Sequence, residues 1–115
     1  MTVEEFYAAI GGDYDAIMRR LPSPDKVLRF VNLFLKDNNF NELKAALDDG
    51  NAENAFKAAH NLKGVSANLA FKELTAATSD ITEALRNGDV DAAKRILPSV
   101  DEDYELIIKL SKELQ

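Results

Sequence analysis

The chain has 115 residues, 46% of them apolar and 8% aromatic, enough to fill the core of one domain spanning 1–115. Its 20 acids outweigh 14 bases for a net charge of -6, which argues against nucleic-acid or anionic-membrane binding, because both need clustered Lys and Arg. The absence of Cys excludes disulfides, thiol nucleophiles and Cys-ligated metals and fits a reducing, cytoplasmic setting; a single His excludes a His-rich zinc site.

In chain order, apolar Val3, Phe6, Ile10, Tyr14, Ile17, Met18 and Leu21 recur at spacings of three and four. They predict one or two short helices, broken at Gly11-Gly12 and restarted with Asp13 as cap. Ser23-Pro24-Asp25 reads as the next start: a serine cap, a proline in the first turn, an acid at the positive end of the dipole. Val27, Phe30, Val31, Phe34 and Leu35 follow as its apolar face. Asn39-Phe40-Asn41-Glu42 resembles a capping box for a helix that Gly50 ends. Asn51 caps a long helix to about Leu69, and a further one runs from about Phe71 to Asn87, where Gly88 stops it. Asp89 caps the last segment, which Pro98 is expected to kink or split. No stretch alternates with a strand-like period, and no apolar run approaches the ~18 residues of a membrane span or reads as a signal peptide. The segments 46–55 and 84–93 echo each other as helix, glycine stop, cap and helix. Two copies fit two similar helical hairpins better than a solenoid. The expected fold is all-α: an antiparallel four-helix bundle with short additional N-terminal helices. Its expected core contains Phe30, Phe34, Leu43, Leu47, Phe56, Leu62, Leu69, Leu74, Ile81, Leu85 and Ile107.

The segment from Ala58 to Leu69 carries the chemistry. On a helix, Ala52, Ala55, Ala59, Leu62, Ser66 and Leu69 form one apolar stripe with Phe56 at its edge. His60 falls roughly 120° from the centre of that stripe and faces solvent. Lys63 and Gly64 are its neighbours at i+3 and i+4, and Ala67 continues the strip. Glycine in mid-helix costs ~1 kcal/mol relative to alanine, and it is useful where another surface must approach the backbone. A lone helical His is ordinarily a plain surface residue. Here it has a cation one turn on and no bulky side chain at i+4 or i+7. A neutral imidazole is a good nucleophile toward phosphorus, and Lys63 would offset the charge of a phosphoryl group. No Gly-rich phosphate loop or Mg²⁺ carboxylate cluster is evident, so a partner must bring the phosphoryl group and its metal.

Ala59-His60-x-Leu62-Lys63-Gly64, followed by Asn68-Leu69 and Leu74, resembles the signature of histidine-containing phosphotransfer (HPt) domains. The helix lengths and the Arg86-x-Gly88-Asp89 stop extend the resemblance over most of the chain. It implies a four-helix bundle whose exposed histidine takes a phosphoryl group from an aspartyl phosphate on a response-regulator receiver domain and passes it to another. His60 then matches the phosphoryl acceptor, Lys63 the phosphate-steadying lysine and Gly64 the close-approach glycine. Two positions depart from the pattern. Ala70 stands where the family often has glycine, a change expected only to alter the bend between helices. Thr82 stands where it often has glutamate or glutamine, which hydrogen-bonds the second ring nitrogen. Thr82 is shorter and Glu83 points roughly 100° away, so water or the Thr82 hydroxyl supplies that bond, or it is absent.

The sequence therefore predicts a cytoplasmic, monomeric phosphoryl carrier without ATP-dependent kinase activity. Its sites are His60 and Lys63, with Gly64, Ala67 and Lys57 as docking residues and Thr82 as a second contact to His60. The chain itself needs no cofactor, and Mg²⁺ belongs to the partner. Partners are receiver domains and a hybrid sensor histidine kinase; nucleic acid and membrane are not expected. Met1 and the Asp89 cap favour a free-standing chain. Lys57, Lys63 and Lys72 form either a basic island or ordinary solvated lysines. Asp101-Glu102-Asp103 reads as a solvated face, and Asp13 and Asp15 lack the opposed group that acid–base catalysis needs. The competing reading is a degenerate helical adaptor that docks on receivers without phosphotransfer.

Overall fold

In the computed structural model, which describes residues 1–114, the helical period becomes seven helices and, among the described residues, no strand. They are α1 (Val3–Ala9), α2 (Tyr14–Arg20), α3 (Pro24–Leu35), α4 (Asn39–Asp48), α5 (Ala52–Asn68), α6 (Lys72–Arg86) and α7 (Val90–Ser111). Three starts are built by the caps read from the sequence. The carboxylate or amide oxygens of Asp13, Asn51 and Asp89 accept the backbone N–H groups of Ala16, Asn54 and Ala92. Gly50 and Gly88 follow α4 and α6 with φ of +67° and +73°, the left-handed conformation that glycine adopts without steric cost.

Helices adjacent in sequence pack side by side: α4 on α5, α5 on α6 and α6 on α7, while α7 also meets α4. At 22 residues α7 is about 33 Å long, most of the molecule's 40 Å length. Pro98 does not split it. The helix runs unbroken from Val90 to Ser111, and none of its helices is long and apolar enough to cross a membrane among the described residues.

Two caps differ from expectation. Ser23 makes no side-chain cap bond, although Pro24 does occupy the first turn of α3. The Asn39 capping box does not form, because Asp37 takes the backbone N–H of Asn39 at 2.8 Å and its side-chain amide at 3.0 Å. An acid two residues upstream makes this local turn in preference to the cap. Of the expected core, Phe34, Leu43, Leu47, Leu62, Leu69, Leu74, Ile81, Leu85 and Ile107 are buried. Phe30 is not: Val27, Val31 and Phe34 define the buried face of α3, and Phe30 lies at its edge, 43% exposed. Phe56 is half-buried against the core. The acidic run is not uniformly solvated, since Asp103 is half-buried. Burial and the nearby charges of Glu73 and Glu102 raise its carboxyl above the ordinary range.

The N-terminal helices are tied to the α5–α6 turn. Ala70 has φ +57°, and the N–H groups of Ala70 and Phe71 donate to the carbonyls of Ala67 and Ser66, closing a Schellman-type stop. The carbonyls of that end also accept from upstream. Tyr7 donates its hydroxyl to Leu69 at 2.7 Å, Arg20 donates to Ala67 and Asn68, and the N–H of Asp13 reaches Ala70. In return the N–H of Glu73 donates to Gly11. Phe6, Tyr7, Phe34 and Phe71 pack edge-on or tilted around this junction, with ring centroids 5.2–6.3 Å apart.

Ala70 is the one non-glycine residue with positive φ among the described residues. A left-handed alanine is strained by roughly 1–2 kcal/mol, so Ala70→Gly should raise stability by about 0.5–1 kcal/mol after the greater freedom of the unfolded glycine chain is counted. Urea denaturation measures it, and a destabilised variant would contradict the strain. Tyr7→Phe should cost about 1–2 kcal/mol, because the buried Leu69 carbonyl loses its donor. Burial pushes the Tyr7 phenol well above its ordinary value, against a smaller opposing pull from Arg20, and burial likewise raises Tyr104. The folded protein keeps these protons while the unfolded chain releases them, so stability should fall as pH rises through about 10. In Tyr7→Phe that alkaline decline should be shallower; an unchanged slope would remove Tyr7 from it.

Candidate functional site

The site is set by the rotation of α5. Ala55, Ala58, Ala59, Leu62 and Ser66 are buried along its inner face. The hydroxyl of Ser66 donates to Leu62 at 2.7 Å, so even its polar member is satisfied inside the helix. The opposite face presents His60, exposed near mid-helix, with Gly64 and Ala67 exposed in the same strip. Lys63 is half-buried beside them and forms no salt bridge among the described residues. Its cation therefore has no carboxylate counter-ion among the described residues.

Gly64 has no structural task within the chain. A Cβ built on it would meet no atom within 4 Å. Its helix propensity cost is not offset by internal packing among the described residues. The carbonyl of Ala67 is taken up by Arg20; its methyl group remains exposed.

The other expected site residues fare differently. Lys57 is exposed and pairs with Glu53 at 3.6 Å across one helical turn, a solvated contact of little energetic weight. Lys72 lines a groove with Glu4, Asp13 and Asp15, so its nearest charged company there is acidic. Thr82 is fully buried, and its hydroxyl donates to Thr78 at 2.6 Å. No hydrogen bond links it to His60 among the described residues, so the structure does not place it as a second contact to the imidazole. Its short side chain satisfies itself on its own helix instead of reaching outward. No cluster of three or more His, Asp or Glu side chains gathers to hold a metal among the described residues.

Two features were not anticipated. Phe56, one turn before His60, stacks on it with ring centroids 5.9 Å apart and planes 11° from parallel. The i, i+4 spacing is the available signal, and the apolar stripe, which also claims Phe56 for the core, masks it. The second is an apolar groove of roughly 440 Å³ bordered by Phe30, Leu33, Val65 and Leu69, with Arg20 and Asp37 as polar members. Leu33 is 54% exposed on it.

A family model described as Hpt domain matches residues 32–110, more than half of the chain. The chain belongs to the Hpt domain family. Domains of this family are phosphocarriers rather than kinases, and they serve histidine phosphotransfer in phosphorelays together with receiver domains. No curated protein and no solved structure matches the chain. The matched span contains all of α4 to α6, and with them His60, Lys63 and Gly64. It begins inside α3, so most of the N-terminal clamp lies outside it.

Because the space beside Gly64 is open, Gly64→Ala in this Hpt domain should fold normally and gain about 0.5–1 kcal/mol of stability from helix propensity. Thermal or urea unfolding measures the change. A loss of stability would mean that an internal contact had been missed.

Proposed function

We propose that this chain is a phosphorelay intermediate: a single monomeric domain, with α4–α7 as an antiparallel four-helix bundle, that carries a phosphoryl group on His60 between receiver-domain aspartates in the cytoplasm. The observation that carries this reading is the exposed His60 beside an unpaired Lys63 and an unobstructed Gly64, inside the span matched to the Hpt domain. In the transfer step the lone pair of one ring nitrogen forms the N–P bond as the P–O bond to the receiver's aspartyl carboxylate breaks. The electrons of the broken bond return to that carboxylate. The other ring nitrogen keeps its proton until the cationic ring releases it to water. The reverse step loads a second receiver. Lys63 steadies the charge on phosphorus, while the partner supplies Mg²⁺ and the aspartate, so this chain contributes position and charge compensation.

Docking would cover the strip of Gly64 and Ala67 and extend to Lys57 on one flank. Phe30 and Leu33 add an exposed apolar border on α3, of the kind that marks a protein-binding surface. The upstream donor would be the receiver of a hybrid sensor kinase or a separate receiver domain. A second reading, an adaptor that docks without chemistry, is favoured by Thr82, which does not supply the hydrogen bond that would orient the imidazole.

Transfer of labelled phosphate from a panel of phosphorylated receivers separates the two. Wild type should take an acid-labile, base-stable label, and folded His60→Gln should take none, since no other histidine exists. Lys63→Ala should slow transfer by about tenfold, on the order of 1–2 kcal/mol, less than at a site closed to solvent. Gly64→Gln should fold and yet fail to dock, because its side chain would hold the receiver away. Undiminished labelling of His60→Gln would sink the mechanism; no labelling of wild type by any receiver would leave the adaptor.

A further inference from the structure

His60 poses a positioning problem. Its imidazole projects into solvent from mid-helix, and among the described residues neither ring nitrogen has a hydrogen-bond partner. A free side chain samples several rotamers, whereas transfer needs a nitrogen lone pair aimed at phosphorus. That lone pair lies in the plane of the ring. Whatever fixes the plane therefore removes most of the search for a productive angle.

The geometry points to Phe56 as the residue that orients His60 for transfer, by ring-on-ring stacking. This inference rests on the reading of His60 as the phosphoryl carrier. The two residues lie one helical turn apart on α5, and their near-parallel planes hold the imidazole edge, with its nitrogens, away from the phenyl face. Phe56 is itself held. It packs half-buried against the core, and the Arg86 guanidinium carbon sits 5.1 Å from its ring centroid. Arg86 is tethered in turn to Glu83 on α6, Nε to Oε1 at 3.3 Å. The phenyl ring is thus seated against the core, with Arg86 at the end of α6 beside it and His60 stacked one turn on. A residue serving only to fill the core would not need to leave an aromatic face against an exposed imidazole.

The test compares wild type, Phe56→Leu and Phe56→Tyr, with circular dichroism to confirm folding. Leucine keeps an apolar side chain without a π face; tyrosine keeps the face. In ¹H–¹³C spectra the His60 ring protons of wild type should carry a ring-current shift that Phe56→Leu loses and Phe56→Tyr restores. With a saturating phosphorylated receiver, Phe56→Leu should lower the transfer rate roughly three- to tenfold, and Phe56→Tyr should recover it. Phosphoramidate, a small donor that needs no docked orientation, should label all three at similar rates. Unmoved His60 resonances in Phe56→Leu, or unchanged receiver transfer, would overturn the proposal. So would an equal loss with phosphoramidate, because that would assign Phe56 to intrinsic reactivity instead of aim. A wild type that takes no label from any receiver sinks both readings at once, whereas a labelled wild type with an equally fast Phe56→Leu sinks only this one.

Discussion

Ala55, Ala58, Ala59, Leu62 and Ser66 of α5 are sealed between its neighbours α4 and α6, and the rotation of this one helix decides what reaches solvent. Four of the five are among the smallest side chains, so α5 is seated by close approach more than by large interlocking groups. A turn of one residue about its axis, about 100°, would bring Asn61 or His60 toward the interior. Unpartnered polar groups would then be buried at a cost of several kcal/mol. The same seating that makes the core therefore holds the imidazole outward, with Lys63 and Gly64 fixed beside it by helical geometry.

What could be read beforehand was local. The caps at Asp13, Asn51 and Asp89 join side chain and backbone three residues apart, so they appear in a short window of sequence. The exposed position of His60 followed from the 3.6-residue period, and Gly64 was conspicuous because mid-helix glycine is unfavourable. Other features lie between distant parts of the chain. Tyr7 and Leu69 are 62 residues apart, and no periodic pattern encodes that bond. Phe30 and Phe56 both satisfy an apolar spacing, yet only the packing of whole helices decides which edge of a stripe is covered. Thr82 shows a third case: the family resemblance implied a contact with His60, but a hydroxyl in a helix has a nearer acceptor on the preceding turn.

The inner surface is polar in places without being reactive. Ser66, Thr78 and Thr82 are fully buried, and each donates to a carbonyl four residues earlier. Among the described residues no buried side-chain nitrogen or oxygen lacks a partner. The interior thus holds no group waiting for a ligand. The outward strip of α5 is different: among the described residues His60 has no hydrogen bond there, Lys63 has no counter-ion and Gly64 leaves the backbone bare.

The clamp at the α5–α6 turn bears on how such a domain is inherited and recombined. Tyr7, Gly11, Asp13 and Arg20 supply or receive its bonds, and all four precede the residue at which the family match begins. Lifting residues 32–110 into another protein would carry the strip of His60, Lys63 and Gly64 along while taking the upstream donors from the carbonyls of Asn68, Leu69 and Ala70 and uncovering Phe71. The smallest portable module is therefore wider than the family signature. The two sides are unequal partners: the turn offers backbone carbonyls that any sequence would keep, whereas the side-chain donors Tyr7 and Arg20 can be lost by a single substitution.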